Sequence, residues 1–142
     1  MTRRVGQIAA VAVVLGMIAI GADNWRRPPP PMPANGQHVT LLYVGAEDCA
    51  PCRSWLRGAG AAFRASPEFS GVFYREVESP TVLELLKDEY WPEDLREYRA
   101  SLDRSAGVPL WIVIADHQIV ERAFGESQWG RAVLPKLKSL LR

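Results

Sequence analysis

The sequence predicts an α/β fold, a central sheet flanked by helices, within one domain that spans residues 37–142. Three observations predict it. Strand-like and helix-like segments alternate in the order β, α, β, α(α), β, β, α, and such alternation packs as a sheet with helices on both faces. The first strand-like segment, "HVTLLYVG", is nearly continuous in apolar character, as a buried strand is. The helix-like segments carry apolar residues at helical spacing behind recognisable start signals.

Ahead of that domain the chain reads differently. Arg3 and Arg4 precede an uncharged run from Val5 to Ala22, whose 18 residues would rise ~27 Å as a helix against a hydrocarbon core of ~30 Å. A basic pair followed by such a run fits an export signal or signal anchor over residues 1–22. The run exceeds an h-region of ~7–15 residues, which favours an uncleaved membrane anchor; cleavage before Ala22, behind small Ala19 and Gly21, is the alternative. The expected location is therefore the cytoplasmic membrane, single-pass, with the domain on the periplasmic or extracytoplasmic side. Residues 23–36 read as a linker, because five prolines within six positions (Pro28–Pro31 and Pro33) favour an extended spacer.

Within the domain, Val39 to Val44 is the first strand. Asp48 and Pro51 are start signals for a helix from about Cys49 to Ala65, bent or loosened by Gly58 and Gly60. Ser66 and Pro67 mark a break with a plausible cap. Gly71–Ser79 alternates enough for a second strand. Thr81 to Leu102 reads as one or two helices: Thr81 and Glu84 make a capping-box pattern, and Val82, Leu85, Leu86 and Tyr90 share a face. Pro92 restarts the helix, with Leu95, Tyr98 and Leu102 as the next apolar stripe. Gly107–Asp116 and Gln118–Gly125 form a β-hairpin about Asp116-His117. Ser127–Arg142 closes the chain as an amphipathic helix with Val133, Leu134, Leu137, Leu140 and Leu141 inward.

Charge and cysteine content limit the function. Among 142 residues, 17 basic and 16 acidic side chains give a net charge of +1, which lacks the basic footprint of a nucleic-acid partner. Two cysteines allow one bridge, so the fold is held by its core rather than by a disulfide framework.

Both cysteines, Cys49 and Cys52, lie in "DCAPCR". Cys49 follows a strand and opens a helix, where unpaired backbone N–H groups and the helix dipole favour thiolate over thiol. Cys52, one turn on, can attack a mixed disulfide at Cys49 and release the product. A structural bridge across so short a loop would constrain little of the unfolded chain. A metal site would need more ligands than a cysteine pair and two distant histidines, His38 and His117, provide. The placement favours redox exchange, with the metal and structural readings behind it.

At this point the chain resembles the thioredoxin superfamily, through "VTLLYVGAEDCAPC" and "GVPLWIVIADHQIVERAFG" over Val39 to Arg142. The resemblance implies a thioredoxin-like fold and a thiol:disulfide oxidoreductase with no cofactor beyond the Cys49–Cys52 pair. It implies that Cys49 is the nucleophile, Cys52 the resolving thiol, and Pro109 a cis proline beside them. It further implies that the Val108 backbone, with Ala50 and Pro51 between the cysteines, meets substrate polypeptide, and that Gly125 stands where the family has a glycine. Cysteine-containing exported proteins would be the substrates and an upstream thiol would supply electrons.

Three departures stand out. Asp48 replaces the tryptophan that precedes the first cysteine in thioredoxins proper. Tyr43 stands where they keep a buried aspartate that moves protons, and Glu47 is a weak candidate to replace it. The stretch from Cys52 to Pro109 is long, and its surplus in Thr81–Leu102 suits a dedicated partner or substrate surface. Pro51 removes an N–H donor, Glu47 and Asp48 add negative charge, and Arg53 is expected to point to solvent, so Cys49 thiolate is weakly stabilised and the couple is expected to be reducing. By analogy, such domains serve cytochrome c maturation or rescue specific oxidised proteins. The alternatives are an exported disulfide-forming oxidase and a non-catalytic metallochaperone or assembly module.

Overall fold

The computed structural model describes residues 37–103 and 106–142. The expected anchor and proline-rich linker lie outside the described residues.

Four strands form one mixed sheet in which the first strand is flanked by the second on one side and by the third and then the fourth on the other. β1 (Val39–Ala46) is central, and of its eight residues only Thr40 is not buried, as its unbroken apolar run requires. β2 (Phe73–Ser79) runs parallel to it, with Tyr43 level with Glu76 and Gly45 level with Glu78. A parallel neighbour needs a crossover, and α1 (Ala50–Arg57), α2 (Ala59–Arg64) and α3 (Pro67–Ser70) supply it. The expected single helix is broken at Gly58, whose backbone (φ −100°, ψ −100°) is not helical. Ser66 precedes α3, but its hydroxyl donates to the Phe63 carbonyl (2.7 Å) rather than capping the new helix.

β3 (Leu110–Ala115) is buried throughout and pairs antiparallel with β1 and with β4 (Gln118–Phe124). The hairpin turns on Asp116 and His117, both at positive φ (49° and 68°), the geometry that matches the right-handed twist of the flanking strands. The Asp116 carboxylate accepts from the His38 N–H (3.2 Å), tying the turn to the start of β1.

Two cores lie on opposite faces of the sheet. One gathers Leu41, Tyr43, Trp55, Phe63, Trp111 and Trp129 beneath α1, α2 and the last helix. The other packs Leu42, Val44, Ile112 and Ile114 against Leu85, Trp91, Leu95 and Tyr98.

The cover on this second face corrects the expectation for Thr81–Leu102. Instead of one or two helices it consists of three 3₁₀ turns (Val82–Glu84, Asp88–Tyr90, Glu93–Leu95) and a short α4 (Arg96–Ala100). The capping box does not form: the Thr81 hydroxyl meets the Glu84 carboxylate (3.4 Å), and no side chain of the segment caps the turn. Lys87 and Trp91 are extended, and carbonyls that a helix would use go to side chains. Trp91 Nε1 donates to the Leu85 carbonyl (2.7 Å) and Arg99 to that of Leu86 (2.8 Å). Val82, expected on the inward face, is exposed. Tertiary pairing of Leu85, Trp91, Leu95 and Tyr98 with the sheet overrides the helical pattern.

The closing helix comprises α5 (Glu126–Gln128), a π-helical turn (Trp129–Val133) and α6 (Leu134–Leu140). Pro135 has no N–H to continue the regular ladder, and the π turn lies just upstream of it. Val133 and Leu137 are fully buried, while Leu134, Leu140 and Leu141 are half-buried around the same core.

Candidate active site

The cysteine loop leaves the carboxyl end of β1 and returns as α1. Cys49 is the N-cap of that helix with extended backbone (φ −83°, ψ 106°), and Pro51 occupies its first turn, where an N–H is not needed. Cys49 and Cys52 are joined in a disulfide, with Cα atoms 5.2 Å apart. The Cys52 N–H donates to Cys49 Sγ (3.1 Å), so one helix-end donor faces the first sulfur. Both cysteines are buried, but Cys49 retains 6% exposure and Cys52 none, so Cys49 is the nearer of the two to the surface.

Strand register brings the distant proline to this loop. β3 starts at Leu110 opposite Val44, so Val108 and Pro109 arrive level with the end of β1. The Val108–Pro109 bond is cis, and the Pro109 carbonyl accepts from the Gly125 N–H (2.8 Å). Gly125 sits at φ 88°, a conformation that a side chain would strain. Val108, half-buried, packs against the core cluster that contains both cysteines. Ala50 and Pro51 are exposed on the loop, and Pro109 is buried.

A central mixed sheet flanked by helices, with a CxxC disulfide at the head of α1 and a cis proline opening β3, decides the architecture. The fold is thioredoxin-like.

Three solved structures similar to this chain are thioredoxins. The oxidised thioredoxin of Plasmodium falciparum is 12% identical, with 74% of this chain and 83% of that chain covered and a TM-score of 0.47. The reduced periplasmic thioredoxin SoxS of Paracoccus pantotrophus is 15% identical, covering 73% of this chain and 96% of that one, with a TM-score of 0.47. The thioredoxin of Malassezia sympodialis is 14% identical, covering 70% and 77%, with a TM-score of 0.47. No family model matches the chain, and neither does any curated protein.

Around the thioredoxin-like disulfide, the charged side chains differ from the sequence expectation in one respect. Arg53 is exposed, but its guanidinium also folds back to donate to the Glu47 carbonyl, stapling the loop across Cys49. Asp48 is exposed, and its carboxylate accepts from the Val82 N–H (2.9 Å), joining the residue before Cys49 to the first turn of the segment that covers the second face. Ser54 donates to Glu126 (2.7 Å), holding α1 to the start of the closing helix.

Tyr43 fills the position beneath the loop. It is buried, stacks on Trp55 (centroids 4.9 Å apart), and its hydroxyl has no partner among the described residues. Burial, reinforced by the negative charges of Glu78 and Glu76, pushes its phenol well above the usual tyrosine range. Such a group stays neutral and takes no proton from a thiol. Glu47, the weak substitute, is exposed.

The sequence reading missed Glu78. Parallel register sets it beside Gly45 on the face of Tyr43, and burial first, then Glu76 and Glu47, raises its carboxyl pKa. The signal was present, since alternation in "GVFYREVES" puts Tyr74, Glu76 and Glu78 on one face. No group of three or more potential metal ligands occurs among the described residues.

Proposed function

We propose that the chain is a thiol:disulfide oxidoreductase that reduces disulfides of exported proteins, with Cys49 attacking and Cys52 resolving. The observation that carries this reading is the Cys49–Cys52 pair at the head of α1, with Cys49 slightly exposed and Cys52 fully buried beside it. In the reduced chain, Cys49 thiolate attacks one sulfur of a substrate disulfide and expels the other as thiolate. Cys52, deprotonated, then attacks Cys49 Sγ and releases the second substrate thiol. Two electrons pass to the substrate, the Cys49–Cys52 disulfide forms, and an upstream dithiol donor reduces it back to the two thiols while being oxidised itself. The Val108 backbone, with Ala50 and Pro51, supplies the surface on which the substrate chain lies, and the cis Val108–Pro109 bond sets the course of that backbone.

The reducing direction is supported by the surroundings of the first sulfur. It receives the Cys52 N–H, while Pro51 offers none, and the acidic side chains of Glu47 and Asp48 precede it. Arg53, the nearby cation, is engaged with a carbonyl. A weakly stabilised thiolate belongs to a reducing couple. The apolar run of residues 5–22 and the proline-rich spacer behind it favour a membrane-anchored domain outside the cytoplasm.

Equilibration with dithiothreitol or glutathione buffers measures the potential. A value well below ~−120 mV is expected, and a value at that level would overturn the direction. Insulin reduction that persists in Cys49→Ser would overturn the exchange chemistry itself.

A further inference from the structure

Cys52 is fully buried, so the proton it must lose on attacking Cys49 Sγ has no direct way to water. The groups around it are those of the core beneath α1. Tyr43 belongs to the same cluster, and its ring stacks on Trp55, three residues after Cys52 in that helix. The ring leans toward the cysteine end of β1, since a Cβ on Gly45 would collide with the Tyr43 hydroxyl. Only glycine leaves room for the hydroxyl there. Tyr43 is 1% exposed, and its oxygen has no partner among the described residues. Buried hydroxyls are ordinarily paired, so an unpaired one beneath a disulfide calls for a partner that the reduced state supplies.

On the side of β2 stands a carboxylate. Gly45 is level with Glu78 in the parallel register, and neighbouring strands lie ~4.8 Å apart, so Glu78 flanks the hydroxyl. Of the charges acting on the phenol, that of Glu78 is the strongest, ahead of Glu76 from the same strand. Arg64, from α2, pairs with Glu76 (3.9 Å). Burial first, then the charges of Glu76 and of Glu47 after β1, raises the Glu78 carboxyl toward the thiol range, where a carboxylate is a better base. Glu78 is nonetheless exposed along its outer side, which leaves it open to water.

We propose that Glu78 is the proton acceptor for Cys52, reached across the Tyr43 hydroxyl. This rests on the exchange reading above and adds to it the fate of the Cys52 proton. As Cys52 Sγ bonds to Cys49 Sγ, the Cys52 S–H bond breaks and the substrate sulfur leaves with the electron pair of its bond to Cys49. The thiol proton moves to the Tyr43 oxygen while the phenol's own proton moves to a Glu78 carboxylate oxygen. The phenol is never ionised and is never the final acceptor; Glu78 then gives the proton up to solvent. When the upstream dithiol reduces the pair, the same path returns a proton to Cys52.

The test separates the two sulfur steps. The reduced full chain is mixed with glutathione disulfide and quenched with acid at intervals, and mass spectrometry counts the Cys49–glutathione adduct and the Cys49–Cys52 disulfide. The wild-type chain should resolve the adduct as fast as it forms. At pH 7, the near-isosteric Glu78→Gln and Tyr43→Phe should slow resolution about a hundredfold, the low end of general acid–base catalysis, so that the adduct accumulates. Glu78→Asp, which keeps a carboxylate, should resolve faster than Glu78→Gln. Glu76→Gln removes the same charge from the same strand and should resolve within about threefold of wild type. As pH passes the ordinary thiol range near ~8.5, hydroxide replaces the base and the deficit should shrink at least tenfold. Wild-type resolution in Glu78→Gln, or a deficit as large at pH 9.5 as at pH 7, would overturn the role of Glu78. Slow resolution in Glu78→Gln with normal resolution in Tyr43→Phe would overturn the route through the hydroxyl. Neither adduct nor disulfide from the wild-type chain would overturn the exchange reading and this proposal with it.

Discussion

Asp48 combines two roles that separate substitutions can pull apart. Its carboxylate accepts the Val82 N–H and places negative charge beside Cys49. Asp48→Ala should lose about 1 kcal/mol of stability, the scale of one such bond, in a urea titration. Asp48→Asn keeps an acceptor and should lose much less. Both remove the charge, so both should raise the redox potential by roughly 10–30 mV as the thiolate becomes easier to hold. A potential unchanged in both variants would show that the Asp48 charge does not tune the couple. Tyr43 and Tyr74 make a second residue-scale prediction. Burial raises both phenols, for Tyr74 with help from its hydrogen bond to Glu76, whereas an unfolded tyrosine ionises near ~10. The folded state thus favours the neutral phenols. Their contribution is whole below pH ~10 and is lost as pH rises above it. Urea midpoints of the oxidised protein should fall between pH 9 and pH 11, and should fall less in a Tyr43→Phe/Tyr74→Phe variant. An equal fall in both proteins would refute this account.

At the scale of elements, the crossover shows how packing sets the sign of a substitution. Gly→Ala in a helix ordinarily gains ~1 kcal/mol from propensity. Gly60 in α2 is different, because a Cβ there would stand 2.9 Å from the Trp55 ring and 2.9 Å from its carbonyl. Trp55 is held between Tyr43, Trp111 and Trp129 and has nowhere to move. Gly60→Ala should therefore destabilise the protein by about 1–3 kcal/mol in thermal or urea unfolding, and a gain in stability would contradict the packing described. The segment after β2 carries the opposite lesson. Its apolar spacing looked helical, yet its pairing with the sheet and the capture of the Leu85 and Leu86 carbonyls left only 3₁₀ turns and α4. Spacing at 3.6 residues cannot reveal that the partner surface is better served by a chain laid along it.

For the molecule as a whole, the two cores are not equivalent. The face beneath α1, α2 and the closing helix is covered by regular helices around five aromatic rings, whereas the other is covered by turns fastened at the surface by Arg75–Asp94 and Arg122–Ser101. An exposed ion pair such as Arg75–Asp94 contributes little, ~0–1 kcal/mol. Local opening should follow that difference. Hydrogen exchange should protect β1 and β3 most and the 82–103 segment least, and a reversed order would refute the ranking.

Sequence alone determined the strand order along the chain, the hairpin at Asp116-His117, and the place of Cys49 and Cys52 at a strand-to-helix junction. These follow from local rules, because alternation, turn chemistry and a cysteine at a strand-to-helix junction act within a few residues. Tertiary structure alone decided the rest. It brought Val108 and Pro109 level with the end of β1, set Glu78 beside Gly45, turned Arg53 onto Glu47 and fastened Val82 to Asp48. The last of these joins residues 34 apart in the chain. No periodicity or propensity encodes such a meeting; it exists only because burying both faces of one sheet brings the two segments together.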